Sequence, residues 1–170
     1  MIASNWHIAA LQASQAEALG ELARHIWQRH YPGIISQAQI DYMLDQRYGA
    51  ALIRQQLVQP GHWWKVAQND AGMIGFAHYF LEGDAQRIKL DKLYVHPDWQ
   101  RRGVGAALLG SVESEARRQG RTTLTLRTKK HNHSALAAYQ KYGFVVTAQV
   151  ITEIGAGFVM DDYMLEKSLD

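Results

Sequence analysis

The chain has 170 residues, 47% of them hydrophobic and 20% charged, a formal net charge of +2 and no cysteine. This is an ordinary globular composition with enough chain for a substantial core, so one domain over residues 1–170 is expected. Disulfides and thiolate metal sites are excluded. The start lacks the charged and apolar segments of a signal peptide, and no apolar stretch approaches the ~20 residues of a membrane span. A cytoplasmic protein with no membrane partner is the expectation.

Residues 3–12 read as a first strand or extended arm. Ser14-x-x-Glu17 has the form of a capping box and opens a helix with Leu19, Leu22, Ala23, Ile26 and Trp27 on one face, stopped by Tyr31-Pro32-Gly33. Ser36-x-x-Gln39 is a second capping box, ahead of Ile40, Met43 and Leu44. A weaker helical piece runs near residues 50–57, before Pro60-Gly61.

The hydrophobic period then changes. Residues 63–67 and 73–81 read as two strands joined by the turn chemistry of Asn69-Asp70-Ala71-Gly72. After Glu82-Gly83-Asp84, residues 87–95 alternate as a longer strand. A helix follows with Val104, Leu108, Val112 and Ala116 on one stripe and Gly120 as its stop. Residues 122–128 form a strand with Leu124 and Leu126 inward, and a second helix opens near Asn132. Residues 145–151 and 158–165 are two last strands around Gly155-Ala156-Gly157. The order suits a mixed α/β sheet.

The most specific segment is Gln100-Arg101-Arg102-Gly103-Val104-Gly105-Ala106, between a strand and a helix. Glycines here allow a tight turn and close backbone approach to a ligand, and the helix start presents free N–H groups suited to phosphate. A P-loop requires Gly-Lys, which is absent from the chain. A dinucleotide fingerprint requires a third glycine where Leu108 stands, and a strand directly before the first. The remaining pattern is Q/R-x-x-G-x-G/A, matched by Gln100, Gly103 and Gly105.

Around this loop stand Leu90-Asp91-Lys92-Leu93-Tyr94-Val95-His96-Pro97, then Asn132-His133-Ser134-Ala135, Tyr139 and Gly143-Phe144. Together these blocks resemble the GNAT acetyltransferase superfamily over about residues 63–146. The resemblance implies an α/β (α+β) GNAT fold: a central mixed, mostly antiparallel sheet flanked by helices, with fourth and fifth strands splayed around an acyl-CoA. It implies an acetyl-CoA-dependent N-acetyltransferase without a metal. The pyrophosphate would meet the amides of Arg101, Arg102, Gly103, Val104, Gly105 and Ala106. Leu93, Tyr94 and Val95 would bond the pantetheine arm, with Val95 or a neighbour polarising the acetyl carbonyl.

By the same resemblance Tyr139 is the general acid: a phenol of pKa ~10 is protonated at neutral pH and can donate to a thiolate of pKa ~8.5. The alternative is a core tyrosine. Asn132 lies two helical turns before it, so the two share a face; it contacts CoA, caps the helix, or does both. Asp91 occupies the position of the general base. Alternation places it on the face of Leu93 and Val95. The alternatives are an Asp paired with Lys89 or Lys92, the backups His78 and Glu82, or water as the base.

Arg101, Arg102, Lys129 and Lys130 belong to a basic stretch between Trp99 and Lys130 that reads as a solvated face or as a funnel for the phosphates of CoA. No nucleic-acid-binding motif accompanies it, so a nucleic-acid partner is not expected. His131-x-His133 has no supporting ligands for a metal. Trp63-Trp64 reads as strand core plus surface.

The resemblance also implies an acceptor pocket shaped by the first two helices and the last strand pair, here Trp27, His30, Tyr31, Tyr42 and Met43 on one side and Glu153, Asp161 and Asp162 on the other. Phe158 to Asp162, with the following strand and the segment around Ile34–Leu44, is similar to bacterial polyamine acetyltransferases. A small cationic amine is therefore the expected acceptor. A protein N-terminus or lysine, a non-catalytic acyl-CoA-binding regulator, and a homodimer stay open.

Overall fold

The computed structural model describes residues 5–84 and 86–170. The start of the expected first strand, residues 3 and 4, lies outside them. Seven strands form one sheet: β1 (His7–Ala10), β2 (His62–Asn69), β3 (Gly72–Leu81), β4 (Arg87–Val95), β5 (Thr123–Lys129), β6 (Val145–Gly155) and β7 (Phe158–Ser168), in the order β1-β2-β3-β4-β5-β7-β6. The helices are α1 (Ala16–His30), α2 (Gln37–Arg47), α3 (Ala50–Val58), α4 (Val104–Arg118) and α5 (His133–Lys141).

Each face of the sheet buries a separate core. On one, Val104, Leu108, Leu109, Val112 and Ala116 of α4 pack against Ile88, Leu90, Leu124, Leu126 and Leu165. On the other, Leu19, Ala23, Ile26 and Trp27 of α1, with Ile40, Met43 and Leu44 of α2 and Ile53 of α3, cover Trp64, Val66 and Phe76. Burying each large apolar side chain stabilises the fold by about 1.5–3 kcal/mol before entropic costs. The weak third helical piece is thus a full helix, because burying Ile53 adds what local propensity lacks.

Ser14 and Glu17 do not form the first capping box. α1 is entered through a 3₁₀ turn (Ala13–Gln15) in which the Gln12 amide donates to Gln15 Oε1 at 2.9 Å. Glu17 instead accepts two bonds from Arg54 of α3. The second box holds in half: the Gln39 amide donates to Ser36 Oγ at 3.1 Å.

Two irregularities in the sheet build the site. β4 and β5 are parallel and pair only from Arg87↔Thr123 to Leu90↔Leu126; beyond that the strands part. β4 also carries a bulge: His78 of β3 lies opposite Lys92 and Tyr79 opposite Leu90, so Asp91 has no opposite residue. A bulge adds one residue to one strand and inverts the alternation after it.

Candidate active site

A cleft of about 650 Å³ opens where β4 and β5 part. Leu93, Tyr94 and Val95 form one wall, held from behind by antiparallel pairing with Ala77, Phe76 and Gly75. Among the described residues their other edge has no strand partner, since pairing to β5 ends at Leu90. An extended ligand can bond such an edge as an added strand does.

The glycine loop closes one end. Gly103 is the N-cap of α4 with φ 84°, and Arg101 also has a positive φ of 60°. The first intrahelical bond runs from the Ala107 amide to the Gly103 carbonyl, which leaves the amides of Val104, Gly105 and Ala106 without an intrahelical acceptor. Gln100, Arg101 and Gly105 line the cleft. An added Cβ at Gly105 would meet only Val95 Cγ2, at an ordinary 3.6 Å; packing does not demand glycine there. The Val104 side chain is buried in the α4 core, so only its amide is offered. The Arg102 guanidinium sits 5.1 Å from the centre of the Trp99 ring and does not line the cleft.

Across the cleft, Tyr139 of α5 lines the wall with its ring 5.6 Å from that of Phe144. Burial pushes its phenol well above the ordinary value, keeping it protonated. Asn132 lines the same cleft but does not cap α5 with its side chain. Its Oδ1 is 3.0 Å from His30 Nε2; an amide oxygen only accepts, so His30 is the donor. This bond ties the end of α1 to the start of α5 across the opening.

Asp91 does not share the face of Leu93 and Val95. The bulge turns it, with Lys92, toward α1 and α2. Asp91 Oδ2 accepts from Lys92 Nζ at 2.6 Å, Arg47 Nη2 at 3.1 Å and His78 Nδ1 at 3.2 Å. His78 Nε2 is in turn 3.0 Å from His62 Nδ1, and Lys92 Nζ lies 5.2 Å and 5.4 Å from the Trp64 and Tyr48 ring centres. Burial opposes ionisation of Asp91, but the Lys92 and Arg47 charges outweigh it and hold the carboxyl well below the usual range. Burial also lowers Lys92 to about 8 against the pull of Asp91, and lowers the 1% exposed His78 to about 4. Asp91 still lines the cleft, as a fixed anion and a poor proton acceptor. Of the two expected lysine partners Lys92 is present, while Lys89 lies over Phe80. Glu82, a backup base, accepts from Thr125 Oγ1 at 2.8 Å outside the cleft lining.

The remaining walls carry Trp27, Tyr31, Met43, Arg47, Arg127, Lys129, Met160 and Asp162. Tyr31 and Tyr94 share a hydroxyl–hydroxyl bond of 2.8 Å. Asp162 is 1% exposed, and its Oδ1 has no hydrogen-bond partner among the described residues. Burial raises its pKa, with Lys129 and Arg127 opposing. Asp161 points to the other face, as strand alternation requires. It is 45% exposed at the side chain, pairs with Lys130 Nζ at 3.1 Å and does not line the cleft. Tyr42 and Glu153 also lie outside the lining; the Tyr42 hydroxyl donates to the Ile154 carbonyl at 2.8 Å.

Residues 20–144 match the acetyltransferase (GNAT) family. The chain belongs to that family. Among its relatives, the spermidine N(1)-acetyltransferase of Thermoplasma acidophilum is 26% identical over 158 residues, covering 91% of this chain and 94% of the relative. The L-amino acid N-acyltransferase MnaT of Escherichia coli is 39% identical over 96 residues, 55% of each chain. The crystal structure of the PaiA N-acetyltransferase of T. acidophilum in complex with coenzyme A superposes with a TM-score of 0.83 at 25% identity, covering 96% of this chain and 98% of that one. The protein is thus an acyltransferase with a GNAT fold.

Of the residues singled out from the sequence, Leu93, Tyr94, Val95, Gln100, Arg101, Gly105, Asn132 and Tyr139 come together around one cleft. Sequence reasoning missed Arg47, the last residue of α2, and the His30–Asn132 bond. Nothing in the local sequence around Arg47 distinguishes it from a solvent-facing arginine.

Proposed function

We propose that this acyltransferase moves the acetyl group of acetyl-CoA to the primary amine of a small polycation of the polyamine class. The donor half of the reading is supported by the glycine loop, the unpaired edge of β4 and the buried phenol of Tyr139 around one cleft. The observation that carries the acceptor is Asp162, a buried carboxylate with an unpartnered oxygen in that cleft. A second ammonium of the acceptor would satisfy it and hold the reacting amine in place. The spermidine-acetylating relative supports the same class.

In this reading the loop amides at 104–106 hold the pyrophosphate, and the free edge of Leu93–Val95 holds the pantetheine arm and polarises the carbonyl. The Tyr139 hydroxyl then donates to the departing thiolate, whose own proton affinity rises in the same buried setting. Asp91 keeps its charge and holds a water that carries off the amine proton; it is not the resting place of that proton. The alkaline rise of the rate therefore follows the amine's own deprotonation.

A second reading has its own observation: Arg127 and Lys129 line the same wall and suit an acceptor bearing a carboxylate, such as an amino acid. The test is acetyl transfer to spermidine, an L-amino acid and a peptide with a free N-terminus. The expected result is turnover of spermidine, with Asp162→Asn mainly raising its KM. Turnover of the amino acid or peptide without spermidine replaces the acceptor class, and no turnover of any amine favours an acyl-CoA-binding regulator.

A further inference from the structure

We propose that Lys129 is a self-acetylation site: without an amine acceptor, its Nζ takes the acetyl group from the donor bound in the cleft. The proposal rests on the acyl-transfer reading above, but its test is independent of the acceptor.

Lys129 ends β5, opposite the parted segment of β4. Alternation places it with Arg127 on the acceptor-side face, and its backbone lies opposite Asp162 of β7. It lines the cleft although only 8% of it is exposed. Of the nearby lysines, Lys92 is held by Asp91 and Lys130 by Asp161, while Lys89, which also lines the cleft, lies over the Phe80 ring. Among the described residues Lys129 Nζ has no hydrogen-bond or ion-pair partner, and Asp162, the closest match in charge, keeps a free Oδ1. Burial also lowers the Lys129 pKa, with Asp162 and Asp161 opposing and Arg47 adding to the effect. More of its amine is therefore neutral than at an exposed lysine, and only the neutral amine attacks a carbonyl.

The ammonium first loses a proton to water. Its lone pair forms the N–C bond to the acetyl carbonyl as the C–S bond breaks. The thiolate takes a proton from the Tyr139 hydroxyl, and the second proton released by the amide nitrogen returns through water to the phenolate. The product is N-acetyl-Lys129 and free CoA thiol, with a neutral amide in place of a cation beside Asp162.

The experiment is to incubate the full chain with acetyl-CoA and no amine, then follow acetylation lysine by lysine by peptide mass spectrometry. Held in the cleft, Lys129 should react on the order of tenfold or more faster than Lys130 and the exposed Lys141. Its fractional rate should not depend on protein concentration. The preference should vanish in heat-unfolded chain, and K129R should lose the fast site. Similar rates across exposed lysines, a rate that rises with protein concentration, or an unmodified Lys129 in a sample that acetylates an added amine would overturn the proposal. Fast Lys129 acetylation with no amine turned over would keep it and discard the small-amine reading.

Discussion

The two halves of the cleft, proposed above as donor and acceptor sides, are built differently. The proposed donor side offers mainly backbone, in the loop from Gln100 to Ala106 and the edge of Leu93–Val95, with the Tyr139 phenol facing them. The proposed acceptor side offers side chains from four elements: Trp27 of α1, Arg47 of α2, Lys129 of β5 and Asp162 of β7. A backbone site needs glycines at fixed spacing and a helix start, which leave a short-range mark in sequence. A side-chain site needs only that distant positions converge, and leaves none.

That contrast can be tested at Tyr139, His78 and Gly105. The largest expected effect is at Tyr139. Tyr139→Phe keeps the ring against Phe144 and removes only the proton, so kcat should fall ~10²–10⁴-fold with CoA binding kept. Wild-type turnover in that variant would reduce Tyr139 to a packing residue.

The acceptor-side charge cluster should appear in stability rather than in binding. His78 has a folded pKa of about 4, below the ordinary 6.5. Between those values the unfolded chain binds more protons, so stability is fully present above pH 6.5 and falls as pH drops toward 4. The expected loss is about 3 kcal/mol, and ionised Asp91 adds a loss of the same sign at lower pH. Urea unfolding at pH 7 and pH 4 should show His78→Gln losing less than wild type. Equal losses would mean that His78 is not held neutral.

The smallest effect is at Gly105. Because a Cβ there meets only an ordinary contact, Gly105→Val should fold normally yet obstruct the ligand, weakening CoA binding about tenfold, or 1.4 kcal/mol. Unchanged affinity by calorimetry would mean that the loop is merely a turn.

Although α3 showed only as a weak helical piece, the residues alone were enough for the order of the strands, the helix start at the glycine loop and the family. These depend on periodicity, glycine spacing and residues close along the chain. Asp161 and Asp162 were read together, but neighbours on a strand face opposite ways, and the register against β5 sets only Asp162 in the cleft lining. Asn132, read as a CoA contact or a helix cap, lines the cleft without capping α5 by its side chain, and its partner His30 comes from a helix 102 positions away. The tertiary structure alone decided the state of Asp91. The bulge against β3 set its face, and the docking of α2 brought Arg47 to it. Local alternation cannot register an extra residue whose place is set by pairing with another strand. A carboxylate's proton affinity follows from the charges that the fold packs around it.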